Sequence, residues 1–288
     1  MTQQDELLEL AVESARMAGR LLAERAGRGA ERAVAAKSTP TDLVSEADLA
    51  AERAIRRLLA ERRPGDGFLG EEGGSSAGTS GLTWVVDPLD GTVNFLFGIP
   101  QWCVSVAVSD GHGELAGAIF DPHRQELFTA TRHGPATLAS ADGTRVLEGR
   151  AADPGADGAD ASGGSDGSGG SEGSGGSSLA SAMVATGLAY DARVRAAQAQ
   201  VLARLIPQVR DVRRFGSAAL DLAWTAAGRY DAYFERTVKP WDIAAGRLLC
   251  QRAGLEVLEL EEAENLPWGI LVARPGLAGQ LHEIVAGG

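Results

Sequence analysis

Two cysteines in 288 residues, Cys103 and Cys250, cannot build a disulfide framework or a four-cysteine zinc site. Both stand in apolar runs, so the expectation is two buried thiols in a reducing compartment. Basic residues are also few. Twenty-seven Lys and Arg face 39 Asp and Glu, for a net charge of -12. That balance excludes broad electrostatic attraction to nucleic acid or an anionic membrane. No run approaches the ~18 apolar residues of a membrane span. The opening Met1-Thr2-Gln3-Gln4-Asp5-Glu6 lacks the basic and apolar parts of a signal peptide. What is present is 44% hydrophobic content, enough for a real core. The expectation is a cytoplasmic α/β-type protein with no membrane contact and no direct nucleic-acid binding.

Periodicity orders the chain. Leu7, Ala11, Ala15, Ala18 and Leu22 recur at helical spacing. A second helix is expected over 47–60, with Ala51, Ile55, Leu58 and Leu59 inward. The Gly- and Ser-rich stretch 65–81 contains Phe68-Leu69-Gly70-Glu71-Glu72. Leu82 to Val86 reads as a strand ending in Asp87. Strands over 102–109 and 114–120 flank the turn Asp110-Gly111-His112-Gly113, and 126–130 is another strand. Later come strands near 180–186, 209–215, 230–235, 255–258 and 269–273. Helices are expected over 193–206, from Gly216-Ser217 to Gly228, and over 242–252. Such mixing fits a layered architecture. No compact βαβ unit with a glycine fingerprint is present, which argues against a Rossmann domain.

Residues 151–178 hold ten Gly, seven Ser and five Ala, with no aromatic or basic side chain. They have little to bury against the entropy of ordering. They read as a flexible insertion between an N-terminal half, 1–150, and a C-terminal half, 179–288.

The informative stretch is Trp84-Val85-Val86-Asp87-Pro88-Leu89-Asp90-Gly91-Thr92-Val93-Asn94-Phe95. An apolar strand delivers Asp87, Pro88 fixes the turn, and Asp90 returns three residues later. Gly91 permits close backbone approach, and Thr92 adds a hydroxyl. A helix beginning at Gly91 would offer backbone N–H groups to an anion. Two carboxylates beside such groups suggest a divalent cation with phosphate, and hard oxygen ligands favour Mg²⁺ or Mn²⁺. The same aspartates also suit turn and N-cap positions. Glu71 and Asp242 are further acids that could converge on one centre.

These segments resemble the inositol monophosphatase family, and its bacterial inositol-1-monophosphatase members in particular. The resemblance rests on 84–95 and on Trp241-Asp242-Ile243-Ala244-Ala245-Gly246. It is supported by Lys37 to Asp48, Gly70-Glu71-Glu72, Gly216-Ser217-Ala218-Ala219-Leu220-Asp221-Leu222 and Tyr233-Phe234-Glu235. It implies an α+β fold, a layered αβαβα sandwich of the inositol monophosphatase and fructose-bisphosphatase type. It implies two or three Mg²⁺ ions, with Mn²⁺ as a substitute. Glu71, Asp87 and the Leu89 carbonyl would hold one, Asp87, Asp90 and Asp242 a second, and Glu71 with waters a third. The Gly91 and Thr92 backbone would hold phosphate. Glu71 and Thr92 would orient and help deprotonate the attacking water, with Asp48 supporting the Thr92 hydroxyl. Asp90, Gly216, Ser217, Ala218 and Glu235 would face the inositol. Hydrolysis would be in line, with no covalent phosphoenzyme. A lithium-sensitive homodimer acting on myo-inositol monophosphate is the implied enzyme. Histidinol phosphate, a sugar phosphate, or a role as a transcription- or RNA-complex partner are the alternatives.

The hairpin region after 130 departs from the family, with Arg132-His133-Gly134-Pro135-Ala136-Thr137 where a Gly-rich turn is usual. His112, His123, His133 and His282 are scattered and are not expected at the site. Trp102 reads as a strand or interface aromatic. Arg210, Arg213 and Arg214 suit solvation, substrate attraction or a subunit contact. Lys37 opens the family's mobile loop.

Overall fold

The computed structural model describes residues 2–26, 34–36, 43–149 and 179–287. The Gly/Ser-rich segment and Lys37 lie outside the described residues. The elements run α1 (Gln3–Ala26), β1 (Val34–Ala36), β2 (Leu43–Ser45), α2 (Glu46–Arg62), β3 (Gly67–Gly70), β4 (Gly74–Ser76), β5 (Thr83–Asp90), α3 (Thr92–Leu96), β6 (Cys103–Asp110), β7 (Gly113–Asp121), β8 (Glu126–Thr131), β9 (Thr137–Ser140) and β10 (Gly143–Val146). They continue with β11 (Met183–Thr186), α4 (Ala192–Leu205), β12 (Asp211–Arg213), α5 (Ala218–Ala226), β13 (Ala232–Arg236), α6 (Pro240–Arg252), β14 (Glu256–Leu260), β15 (Gly269–Ala273) and α7 (Ala278–Val285). The small β1–β2 ladder is separate. An eight-stranded sheet has the order β10-β9-β8-β7-β6-β5-β3-β4, and a five-stranded sheet the order β12-β11-β13-β15-β14.

Side-chain alternation assigns the layers. On β6, Val104, Val106 and Val108 pack with Leu7, Ala11, Ala15 and Leu22 of α1. From the same strand, Cys103 and Ala107 point the other way, among Leu220, Ala223, Ala245 and Leu249 of α5 and α6. On β13, Tyr233 joins that middle layer, while Ala232 and Phe234 face Val201 of α4 and Leu281 of α7. Helix, sheet, helix, sheet, helix is therefore the stacking, the αβαβα sandwich that the family resemblance implies.

Several boundaries differ from expectation. β5 runs through Pro88 to Asp90 instead of ending at Val86. The Gly/Ser-rich stretch near 65–81 contains β3 and β4, because the backbone pairs there with few side chains to advertise it. The strand expected over 209–215 shrinks to β12. Helix α6 starts at Pro240, so Asp242 sits inside its first turn. Trp102 is buried against Phe95, ring centroids 5.2 Å apart, and His123 packs on its other side at 4.8 Å. Both cysteines are buried.

Candidate active site

A β-bulge puts the two signature aspartates on one side. In a regular strand, residues three apart face opposite ways. Here Asp87 pairs with Ser105 and Asp90 with Cys103, so β5 spends three steps where β6 spends two. The extra residue restores the same facing for both carboxylates. Pro88 is tolerated at such an irregularity because no ladder donor is required of it. Gly91 then turns at φ 100°, and a Cβ there would stand 2.9 Å from the Gln101 carbonyl oxygen. The five-residue helix α3 follows.

A cavity of about 560 Å³ opens at these residues. Its walls come from the carboxyl ends of five strands. β3 is parallel to β5, and β12, β11 and β13 are mutually parallel neighbours. β3 delivers Glu71, and β5 delivers Asp87, Leu89, Asp90, Gly91 and Thr92. The chain beyond β11 contributes Tyr190 and Asp191, and that beyond β12 contributes Arg214, Gly216 and Ala218. β13 supplies Glu235 and, past its end, Lys239 and Asp242. Crevices beyond the carboxyl ends of parallel strands are the usual ligand sites of layered α/β proteins.

Of the expected residues, Glu71, Asp87, Leu89, Asp90, Gly91, Thr92, Gly216, Ala218, Glu235 and Asp242 line this cavity. Asp48 and Ser217 stand behind the wall, both buried. The Thr92 hydroxyl donates to Asp48 Oδ1 at 2.9 Å and lies 3.1 Å from the Leu89 carbonyl oxygen. Ser217 Oγ donates to Asp90 Oδ2 at 2.6 Å, and the Ala219 amide donates to the same oxygen at 2.7 Å. Asn94, quoted above without a role, donates through Nδ2 to the carbonyls of Gln101 and Phe215, each at 2.7 Å. It thereby ties α3 to the loop that opens α5. Arg214 is the one member of the basic run that lines the cavity. Tyr190, Asp191 and Lys239 belong to no motif, and only their position just past parallel strands could have marked them. None of the four histidines lines it.

The electrostatics are those of crowded acids. Burial, then Glu71, Asp90 and Asp242, hold the Asp87 carboxyl well above the ordinary range. A hydrogen bond between Asp87 and Glu71 pushes the Asp87 carboxyl in the same direction. Burial raises Asp90 to about 6, against the opposing hydrogen bonds from Ser217 and Ala219. Asp242 is pushed up by desolvation and by Asp90. Glu235 rises to about 7 through burial, although the Tyr233 hydroxyl donates to it at 2.8 Å. A Cβ at position 187 would overlap the Glu235 carboxyl group, so glycine is what lets that side chain stand where it does.

An all-oxygen set of mutually repelling carboxylates fits a hard divalent cation, whose charge would remove the repulsion. Among the described residues, no three His, Cys, Asp or Glu side chains are already disposed around one ion position. One oxygen of each aspartate already accepts a hydrogen bond. Asp87 Oδ1 accepts the Leu89 amide at 3.0 Å, and Asp242 Oδ2 accepts the Lys239 amide at 2.6 Å. Asp90 Oδ2 is held by Ser217 and Ala219.

Known proteins resemble this chain over most of its length. The sequence profile described as the inositol monophosphatase family matches residues 3–286. The chain is 41% identical over 263 residues to the inositol-1-monophosphatase SuhB of Mycobacterium tuberculosis, covering 89% of this chain and 82% of that one. It is 38% identical over 258 residues to the Nus factor SuhB of Xylella fastidiosa, covering 89% and 83%. The crystal structure of the extragenic suppressor protein suhB from Bartonella henselae superposes with a TM-score of 0.81 at 31% identity, covering 97% of this chain and 98% of that one. A match across nearly the whole chain, together with the close superposition of a relative's fold, shows that this protein belongs to the inositol monophosphatase family, whose members are metal-dependent phosphatases.

Proposed function

We propose that the chain hydrolyses myo-inositol monophosphate to inositol and phosphate, with Mg²⁺ as cofactor. The observation that carries this reading is the meeting of Glu71, Asp87, Asp90 and Asp242 with the Gly91–Thr92 backbone in one cavity. Glu71, Asp87 and the Leu89 carbonyl would hold one cation, and Asp87, Asp90 and Asp242 another. Bound there, such ions lower the pKa of water and neutralise phosphate charge. The residues divide the remaining work. Asp48 accepts a hydrogen bond from the Thr92 hydroxyl, and the Thr92 oxygen would accept one from the attacking water. Glu71 receives the proton of that water. The Gly91 and Thr92 backbone holds the phosphate oxygens. Glu235 accepts hydrogen bonds from ring hydroxyls, and the glycine and alanine at 216 and 218 leave space for the ring.

Inhibition by Li⁺, a cytoplasmic location and a homodimer belong to the same reading. No helix among the described residues is long and apolar enough to cross a membrane. The Nus factor name of the Xylella relative supports a second reading, a partner in a transcription or RNA complex. The net charge of -12 makes protein-mediated association the form this would take.

The deciding experiment is phosphate release from inositol-1-phosphate, histidinol phosphate, a sugar phosphate and a nucleotide 3′-phosphate, with Mg²⁺ or EDTA. Highest kcat/KM on inositol-1-phosphate, lost in EDTA, is expected. Preference for histidinol phosphate would keep the site and change the substrate. No turnover of any of them, with association to transcription proteins that survives Asp90→Asn, would favour the second reading.

A further inference from the structure

Helix α2 carries a polar stripe at positions 48, 52 and 56, each one turn from the next. Asp48 reaches Thr92, as described. Glu52 is 4% exposed and does not line the cavity, so the chemistry above gives this buried carboxylate no task. Its Oε2 accepts the backbone amide of Glu72 at 2.7 Å. Arg56 donates from Nη2 to the carbonyls of Gly74 at 3.1 Å and Gly73 at 3.3 Å. The Arg56 guanidinium lies 4.1 Å over the Phe68 ring and 3.6 Å from Glu52 Oε1. A Cβ at Gly70 or at Gly73 would strike the Glu52 carboxyl group. The loop carrying Glu71 is therefore wrapped around one side chain of α2. The Glu71 amide also donates to the Val86 carbonyl at 3.3 Å, extending the β3–β5 ladder, and on the far side β4 is a short exposed edge strand.

We propose that Glu52 and Arg56 are positioning residues that set the place of Glu71 in the cavity and so govern affinity for the divalent cation. The proposal rests on the reading of Glu71 as a cation ligand. Fixing the Glu72 amide fixes the peptide plane that follows Glu71, and with it the direction of the Glu71 side chain. Ligand constellations tolerate errors of roughly 0.5 Å. A loop released from α2 exceeds that readily. One helix face thus orients two members of the site, Thr92 through Asp48 and Glu71 through Glu52.

The test uses the full chain and three variants: Glu52→Leu removes the acceptor, Glu52→Gln keeps one, and Arg56→Ala frees the loop carbonyls. Mn²⁺ binding is followed by calorimetry, and phosphate release is followed against Mg²⁺ concentration. Glu52→Leu should weaken Mn²⁺ binding and raise the half-saturating Mg²⁺ by about 10- to 100-fold, as loss of a ligand's supporting partner does. Its kcat at saturating Mg²⁺ should fall much less. Glu52→Gln should keep cation affinity within about threefold, since its amide oxygen can still accept the Glu72 N–H. Arg56→Ala should move affinity in the same direction by a smaller factor, and it decides the matter if Glu52→Leu does not fold. Unchanged cation affinity in Arg56→Ala and Glu52→Leu, with only a lower Tm, would overturn the proposal, as would Glu52→Gln binding as weakly as Glu52→Leu. Failure of the unaltered protein to release phosphate would count against the functional reading alone, because the Mn²⁺ titration still tests the clamp.

Discussion

Asp90→Asn should lower Mg²⁺-dependent phosphate release by about 10³-fold or more, because a lost anionic ligand costs several kcal/mol of charge stabilisation. The surroundings leave the new side chain no benign orientation. Ser217 Oγ and the Ala219 amide both donate to Asp90 Oδ2. An asparagine must keep its carbonyl oxygen toward those donors, or else set an NH₂ group against the Ala219 N–H, which can only donate. Its NH₂ then faces the cavity, where a cation needs an acceptor. The shape is nearly unchanged, so the fold should persist. In EDTA at neutral pH the variant should melt no lower than the parent, because one of four crowded carboxyls has lost its charge. Steady-state assays and thermal melts of both proteins, with and without Mg²⁺, check the two halves. Parent-like turnover by the variant would remove Asp90 from the site.

The second large effect is on stability. Metal-free protein should lose stability as pH rises from about 4 to about 7, and Mg²⁺ should flatten that fall. Asp90 is held at about 6 against an ordinary 3.8, and Glu235 at about 7 against 4.5. A raised folded-state pKa means that the native chain binds more protons than the unfolded one in this window. Stability therefore declines with pH there. The contribution is fully present below the unfolded values and is lost as pH passes the folded ones. Each group supplies about 3 kcal/mol at most, and coupling between the acids makes the sum smaller. Asp87 and Asp242 act in the same direction. The expected fall in Tm between pH 5 and pH 8 in EDTA is roughly 5–10 °C. A bound cation is favoured by the ionised acids, so at pH 8 Mg²⁺ should recover the part due to the aspartates by mass action. A flat metal-free profile, or one that Mg²⁺ leaves unaltered, would contradict the view of these acids as an uncompensated cluster.

How much of this was legible beforehand differs from element to element. Helices α1 and α2, strands β6 to β8 and strand β15 follow from apolar period alone, because each buries one or both faces in a continuous layer. β3 and β4 did not, since glycine and serine supply backbone pairing without a side-chain pattern. Helix α7 has buried residues at 278, 281 and 285, a helical period that its eight-residue length conceals. The motif 84–95 announced two acids and a tight glycine, because those neighbours touch through a local turn.

Local pattern could not show how the acids come to face together. Asp87 and Asp90 share a side because of a bulge that exists only in register with β6. Ser217 faces Asp90 across 127 positions, and Glu235 stands clear only because position 187 has no side chain. Glu52 and Arg56 look like the solvated face of an amphipathic helix, yet the loop after β3 folds over them. Hydrophobic period and turn chemistry act between near neighbours, so they were enough for a layered α/β architecture and for suspecting Asp87 and Asp90, while the family and its five layers came from the resemblance of the motifs. Which of those acids share a cavity, which oxygens are already bonded, and what holds each in place depend on strand order and register. Those arise only when parallel strands far apart in sequence bring their carboxyl ends to one crevice.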